Sequence, residues 1–244
     1  MTSTKPADAG SPRTYQIEHF LSDAHFHQLM DAMTEQTIQE GSHLFWEGEP
    51  ADRLFYIKKG KVKISKSTED GKDFILLYLQ EGDFFGEFAA DGSTRFSYTA
   101  EAVQDTKVGL VAQRDLETLI AMSGEFALGF IKWMSLMQRA TESKFRDLML
   151  FGKKGALAST LIRLTNSYGD KREDGTIRIT LKLSNTDLAN MIGTTRESVN
   201  RLLSAYRDEG LIDYDVHHHI MVLELAKLKA IVCCPDCPSE ICRI

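Results

Sequence analysis

No cysteine precedes Cys233 in this chain of 244 residues, and all four fall in its last twelve. A disulfide framework through the fold is therefore disfavoured. No apolar run approaches the ~18 residues of a membrane-spanning helix. The opening stretch Met1–Tyr15 has no basic segment leading into an apolar one, so neither a membrane anchor nor secretion is expected. The expected address is cytoplasmic, where thiols stay reduced. Also missing are a Walker A loop, a Rossmann glycine fingerprint and a nucleophile elbow, which leaves an enzyme without support. Nor is there an excess of positive charge: 29 Lys and Arg against 35 Asp and Glu give a net charge of −6, the wrong sign for a nucleic-acid binder taken whole.

What is present divides the chain. Its length exceeds what one hydrophobic core usually needs, which points to two domains, and 43% hydrophobic with 26% charged residues is an ordinary globular composition. The charge splits as well. Residues 151–244 carry 13 Lys and Arg against 12 Asp and Glu, so the acidity belongs to the front and the rear is near neutral. A near-neutral domain binds DNA if its basic groups share one face.

From Thr37 to Gln113, short β-type runs are broken by turn chemistry at Gly41, Glu47-Gly48-Glu49-Pro50, Lys59-Gly60, Asp70-Gly71 and Asp91-Gly92, the pattern of a sandwich or barrel. Leu54-Phe55-Tyr56-Ile57 and the alternating Lys61-Val62-Lys63-Ile64 read as a hairpin with Val62 and Ile64 facing inward, and Glu69-Asp70-Gly71-Lys72 as the next tight turn.

Gly41-x-x-Leu44-Phe45, Glu47-Gly48, Leu54-Phe55-Tyr56-Ile57 and Gly82-Asp83-Phe84-Phe85-Gly86-Glu87 resemble the cyclic-nucleotide-binding β-roll of the CRP/FNR family, and the resemblance extends from near residue 20 to the end. It implies an α+β fold: an N-terminal double-stranded β-helix, or jelly-roll, as sensor (1–114), a long dimerisation helix and hinge (115–151), a C-terminal winged helix-turn-helix (152–230) and a cysteine-rich tail (231–244). It also implies an activator that works as a homodimer with double-stranded DNA and RNA polymerase. In members that bind cyclic AMP, the Glu of Phe-Gly-Glu holds the ribose and an Arg just before a downstream Ser pairs with the phosphate. Here Glu87 is present, but Phe96 stands before Ser97 and the nearest Arg is Arg95. A one-residue shift along a strand turns a side chain to the opposite face, so cyclic nucleotide is not an expected ligand. Glu87 and Arg95 are read as a solvated loop pair.

Phe126, Phe130, Trp133, Met134, Met137, Ala140 and Met149 recur at helical spacing between Asp115 and Phe151, and Leu128, Ile131, Leu136, Phe145 and Leu148 widen the stripe. A helix apolar on more than one side needs a partner beyond its own β-roll, and self-association supplies it. Phe151-Gly152-Lys153-Lys154-Gly155 then breaks the pattern, with two glycines as a hinge.

Ser184 through Gly193 reads as a capped helix with apolar Leu188, Met191 and Ile192, ending at a glycine turn. Thr194 and Thr195 cap a second helix, Arg196 to Asp208, which buries Val199, Leu202, Leu203 and Tyr206. Its outer face carries Arg196, Glu197, Asn200 and Arg201 near the N-terminus, where a recognition helix meets base edges. Arg201 suits guanine and Glu197 suits cytosine N4, each worth ~1–3 kcal/mol of discrimination. A solvated Glu–Arg pair would be worth only ~0.3–0.5 kcal/mol. Arg196-Glu197-x-x-x-Arg201 resembles members that read a TGTGA half-site. The FNR branch typically reads TTGAT with Glu, Ser and Arg, and here Asn200 replaces that Ser. Leu211-Ile212-Asp213-Tyr214 and Ile220-Met221-Val222-Leu223 read as the wing, with His217-His218-His219 between them as a polar loop rather than a metal site.

Within the tail, Cys234-x-x-Cys237-x-x-x-x-Cys242 has loops short enough for three thiolates to converge on one inorganic centre, and Pro235 and Pro238 keep the segment from continuing a helix. Iron–sulfur clusters take thiolate ligands. Zinc takes three thiolates and one His or carboxylate, and a thiol switch is a third reading. Spacing alone leaves these open. A C-terminal C-x2-C-x4-C on this chassis resembles the FNR regulators of Bacillus, which carry an oxygen-sensitive [4Fe-4S] cluster there and govern anaerobic respiration. The enteric branch places its cysteines near the N-terminus, where this chain has none. In the Bacillus type the fourth ligand is an aspartate near the end of the dimer helix, which maps onto Asp147 in Phe145-Arg146-Asp147-Leu148. Cys233 is the rival, though it adjoins Cys234. An ordinary exposed helix carboxylate is the alternative reading of Asp147.

Overall fold

The computed structural model describes residues 16–244 except 70, 89–92, 236 and 239. Met1–Tyr15, Asp70 of the Glu69–Lys72 turn, and the expected turn at Asp91-Gly92 lie outside the described residues. The front unit starts with α1 (Asp23–Asp31), capped by Ser22, whose hydroxyl accepts from His25 N. Eight strands follow: β1 (Thr34–Ile38), β2 (His43–Phe45), β3 (Arg53–Lys59), β4 (Lys61–Ser67), β5 (Asp73–Gln80), β6 (Phe84–Phe85), β7 (Thr99–Ala102) and β8 (Thr106–Ala112). They form two antiparallel sheets, β1-β8-β3-β6 and β2-β7-β4-β5. Between the sheets lie Phe45, Phe55, Ile57, Val62, Ile64, Leu79, Phe85, Phe96 and Val108, each large side chain stabilising the fold by ~1.5–3 kcal/mol when removed from water. This is the jelly-roll expected.

The hairpin expected between Leu54–Ile57 and Lys61–Ile64 is not formed: β3 and β4 belong to different sheets. Gly60, at φ +109°, turns the chain from one sheet to the other, and a Cβ there would run into Thr106. The two strands then face each other across the core, which demands the same inward alternation that a hairpin would. Val62 and Ile64 are buried as expected. The hairpin that does form is β4–β5, paired from Lys61↔Gln80 to Ser67↔Asp73 with a bulge between Ile64 and Ser65.

The single long helix expected from 115 to 151 is divided into α2 (Gln113–Met122) and α3 (Gly124–Leu150). Ser123 is extended, and its hydroxyl caps α3 by accepting from Phe126 N at 3.2 Å. One face of α3 buries Phe126, Phe130, Trp133 and Ala140 against the β-roll, with Trp133 edge-on to Phe84 at 5.3 Å. The other leaves Leu128, Ile131, Met134, Phe145 and Met149 exposed. Phe151 separates α3 from α4 (Gly152–Tyr168), and Gly152 at φ +58° makes the bend. Gly155, expected as a second hinge glycine, sits buried inside α4, where a Cβ would strike Phe151, so its role is close packing.

The rear unit continues with β9 (Gly169–Lys171), β10 (Ile177–Ile179), α5 (Asn185–Met191), α6 (Arg196–Asp208), β11 (Ile212–Tyr214), β12 (Ile220–Val222) and α7 (Leu225–Ile231). Its strands form an antiparallel sheet β11-β12-β10-β9. Leu157, Leu161, Leu164, Leu188, Met191, Val199, Leu203 and Tyr206 fill its core, which also takes in Ile75 and Tyr78 of β5. The Tyr168 hydroxyl donates to the Tyr78 carbonyl at 3.4 Å. The rear unit is thus docked on the β4–β5 hairpin. Among the described residues, no helix is long and apolar enough to cross a membrane.

Candidate DNA-reading face and cysteine corner

Local chemistry sets the two helices of the reading head. Ser184 and Asp187 form a reciprocal capping box at α5: the Ser184 hydroxyl accepts from Asp187 N at 3.1 Å, and the Asp187 carboxylate accepts from Ser184 N at 2.8 Å. Gly193, at φ +63°, makes the turn, and Thr195 caps α6 by accepting from Ser198 N at 3.3 Å. α6 spans Arg196–Asp208, burying Val199, Leu203 and Tyr206 and exposing Arg196, Glu197, Asn200 and Arg201. The Glu197 carboxyl is held below its usual range by its own backbone N–H and the Thr195 hydroxyl, with Arg196 and Arg201 adding to the effect, so it stands ionised as a pure acceptor. Asn185 Nδ2 donates to Asn200 Oδ1 at 2.5 Å, tying the first helix of the pair to the second.

The wing is the hairpin β11–β12. Asp215 organises its loop, accepting from His217 N at 2.9 Å and His219 N at 2.8 Å, with the His219 ring alongside. Burial pushes the Asp215 carboxyl up, but these N–H groups and the His219 ring outweigh it and keep it low. His217 and His218 are exposed at the tip. His218 shares a cleft of about 490 Å³ with Arg196, Ser184, Thr186 and Tyr214, so wing and recognition helix bound one continuous groove.

In the β-roll, the nucleotide-contacting positions are satisfied internally. Phe96 is 1% exposed and stacks on Phe45 at 3.7 Å. Glu87 accepts from Ser97 N at 2.7 Å and from the Ser97 hydroxyl, while Arg95 Nη1 donates to the Gly48 carbonyl at 2.9 Å. Glu87 and Arg95 therefore serve separate loops rather than pairing with each other.

The cysteine tail begins where α7 stops. Cys233 N donates to the Ala230 carbonyl at 3.3 Å and Cys234 N to the Lys229 carbonyl at 3.0 Å, the two bonds of a Schellman motif. Cys233 occupies the left-handed position, φ +45°, usually given to glycine, and is exposed, while Cys234 turns back toward the protein. Cys233 thus ends the helix and faces away from its neighbour. Cys233→Gly is expected to leave metal content unchanged and to raise stability by up to ~1 kcal/mol through relief of the left-handed strain. Thermal unfolding with a parallel metal assay checks both.

Beyond it, Cys242 N and Ile241 N both donate to the Pro238 carbonyl, and Ile241, Cys242, Arg243 and Ile244 are all buried. Polar groups of α4 hold this segment. Asn166 Nδ2 donates to the Cys242 carbonyl at 2.5 Å, Arg163 Nη1 to the Ile241 carbonyl at 3.2 Å, and Ile244 N to Ser167 Oγ at 3.0 Å. Sequence reasoning missed these residues. Their signal is a polar stripe, Ser159, Arg163, Asn166 and Ser167, at helical spacing within a largely buried helix.

Asp147 is not an exposed helix carboxylate: it is 4% exposed, beneath this tail. Burial pushes its carboxyl up, but Ser159, Arg163 and Arg146 outweigh that and hold it low and ionised. Burial pushes the Cys242 thiol up and Arg163 draws it back, while Cys234, Cys237 and Asp147 lie near enough to raise it further. Three thiols and a carboxylate therefore share one corner. Among the described residues, no three His, Cys, Asp or Glu side chains stand close enough together to hold a single metal ion. The four groups are gathered without forming a closed shell. By donor chemistry they fit a thiolate-ligated centre, with Arg146 and Arg163 at hand to offset its negative charge.

The chain matches the cyclic nucleotide-binding domain family over residues 35–123 and the Crp-like helix-turn-helix domain family over residues 155–231. It is 39% identical over 226 residues to the anaerobic regulatory protein of Bacillus subtilis, covering 92% of this chain and 94% of that one. To the CRP-like cAMP-activated global transcriptional regulator of Mycobacterium tuberculosis it is 29% identical over 185 residues, 74% of this chain and 82% of that one. Its fold matches the structure of FixK2 from Bradyrhizobium japonicum with a TM-score of 0.69 at 24% identity, over 82% of this chain and 96% of that one. A β-roll joined through long helices to a winged helix-turn-helix defines a DNA-binding transcription regulator, not an enzyme. The chain belongs to the CRP/FNR family.

Proposed function

We propose that this regulator responds to oxygen or redox state, with Cys234, Cys237, Cys242 and Asp147 holding a [4Fe-4S] cluster that controls the grip of a homodimer on a palindromic TGTGA-type operator. The observation that carries this reading is the burial of Asp147 under the cysteine tail, at the point where α3 gives way to α4. The anaerobic role in the name of the Bacillus subtilis relative supports it. One zinc ion would need all four ligands at ~2.0–2.3 Å from a single point, whereas a cubane would take one donor at each of four irons. A bound cluster would supply an oxygen-labile tie between tail and α3.

The chain's own residues translate that tie into DNA binding. The tail is fastened to α4 by Arg163, Asn166 and Ser167. Fixing the tail to Asp147 therefore fixes α4, and with it α5 and α6, relative to α3 across the Phe151-Gly152 bend. In a dimer built on α3, that sets the two recognition helices one DNA turn apart, ~34 Å, so that Arg196, Glu197, Asn200 and Arg201 of each subunit meet a half-site. The proposed setting is the cytoplasm, with activation through RNA polymerase at genes of anaerobic respiration. The test is an iron and sulfide assay after anaerobic reconstitution of the wild type and Cys237→Ala. About four irons per chain, lost in air and absent from the variant, are expected. A colourless protein holding one zinc would overturn the oxygen-sensor reading and leave DNA binding intact.

A further inference from the structure

Both oxygens of Asp147 are engaged, by two guanidiniums in different settings. Arg163, on α4, is 1% exposed and donates through Nη2 to Asp147 Oδ2 at 2.7 Å and to Ser143 Oγ at 3.0 Å. Its Nε donates to Ser159 Oγ at 3.2 Å, and Ser159 in turn donates to the same Oδ2 at 2.6 Å. With its bond to the Ile241 carbonyl, Arg163 ties α3, α4 and the tail together. Arg146, the neighbour of Asp147 on α3, has a side chain 38% exposed. It covers the other oxygen, with Nε and Nη2 at 2.9 and 2.6 Å from Oδ1, on the side of the corner where Cys237 lies.

We propose that the two arginines act on the cysteine corner in opposite ways: Arg163 positions Asp147 by keeping Oδ2 throughout, while Arg146 is an exchangeable cation that covers Oδ1 and must leave before Asp147 ligates an inorganic centre. The inference rests on the assignment of Asp147 as a ligand. Arg163 cannot be the one that leaves, because moving it would take a donor from Ser143, Ser159 and the Ile241 carbonyl at once in a buried setting. Arg146 can. Its side chain already borders solvent, a rotamer change returns the guanidinium to water, and its charge at the surface is then screened. With no centre bound, Arg146 neutralises a buried carboxylate that would otherwise repel the approaching thiolates. It is thus an internal competitor for the donor that α3 brings to the corner, the Asp147 carboxylate.

The full-length, reduced, cluster-free protein is titrated anaerobically with Co²⁺, whose thiolate charge-transfer absorbance reports ligation. Asp147→Asn is expected to weaken Co²⁺ binding about tenfold. Arg146→Gln is expected to tighten it several-fold, with Arg146→Lys in between, and the gain should shrink in an Asp147→Asn background, as for groups acting on one another. Far-UV circular dichroism and thermal unfolding confirm that the variants fold. If Asp147→Asn weakens Co²⁺ binding but Arg146→Gln does not tighten it, the competitor role is overturned and the ligand assignment stands. If Asp147→Asn has no effect, both are overturned.

Discussion

Arg163→Met is expected to lower the stability of the cluster-free protein by about 3–5 kcal/mol, the usual consequence of removing one member of a buried ion pair. The loss does not come from the Arg163–Asp147 attraction alone. At 1% exposed, Arg163 serves Asp147, Ser143, Ser159 and the Ile241 carbonyl, and methionine fills much of its volume but offers none of them a donor. Asp147 keeps Arg146 on Oδ1, which places the loss toward the lower end of the range. For a chain of this size, the midpoint of thermal unfolding should fall by about 6–20 °C. Arg163→Met combined with Asp147→Leu should recover only the part of the loss due to the uncompensated carboxylate, because Ser143, Ser159 and the Ile241 carbonyl remain without their donor. The tail should also become sensitive to limited proteolysis near Cys242 in the single variant. A midpoint within 2 °C of the wild type would mean that the tail is held by its apolar residues, Ile241 and Ile244, and that the polar stripe of α4 contributes little.

What could be read in the sequence was chemistry that acts locally. Ser184 with Asp187, Thr195, Gly193 and the alternation of the wing strands each specify a cap, turn or face within a few residues, and those elements stand where the sequence puts them. Partners over longer distances were not legible. Alternation at Val62 and Ile64 states that these side chains face a core, but it is silent on whether β3 lies beside β4 or opposite it. The break at Ser123 was hidden by the apolar stripe continuing on both sides, although Ser before Gly124 and Glu125 is a cap signal in itself. The docking of the rear unit on β5 had no sequence mark, since Ile75 and Tyr78 read as ordinary strand residues. The cysteine run marked out a candidate site. Its anchorage was not legible, because a reading of α4 that counts only apolar periodicity passes over Ser159, Arg163, Asn166 and Ser167, and these are the residues that determine where Cys242 comes to rest.

Ile131→Glu is expected to convert the protein to a monomer and to weaken binding to a full palindrome by a factor of ~10²–10⁴, while binding to a single half-site changes little. α3 is satisfied on one side by the β-roll, yet Leu128, Ile131, Met134, Phe145 and Met149 lie exposed along the rest of it, with Ile131 61% exposed. A second copy of the helix covers such a stripe, and on a two-fold axis each glutamate would meet an apolar seam that already holds its own counterpart. Once the subunits part, binding of the second half-site is no longer intramolecular, and the advantage of linkage disappears without any change in the reading residues. Arg201→Ala provides the contrast. It should leave the proposed dimer intact and remove the proposed base contact, worth ~1–3 kcal/mol in each half-site, so half-site and palindrome binding should fall together. Sedimentation velocity with fluorescence anisotropy on both DNAs separates the two patterns. An Ile131→Glu protein that stays dimeric and binds the palindrome as the wild type does would place the subunit contact elsewhere. The spacing of the recognition helices would then be set by something other than α3, and the tail's hold on Asp147 would have no lever through which to move them.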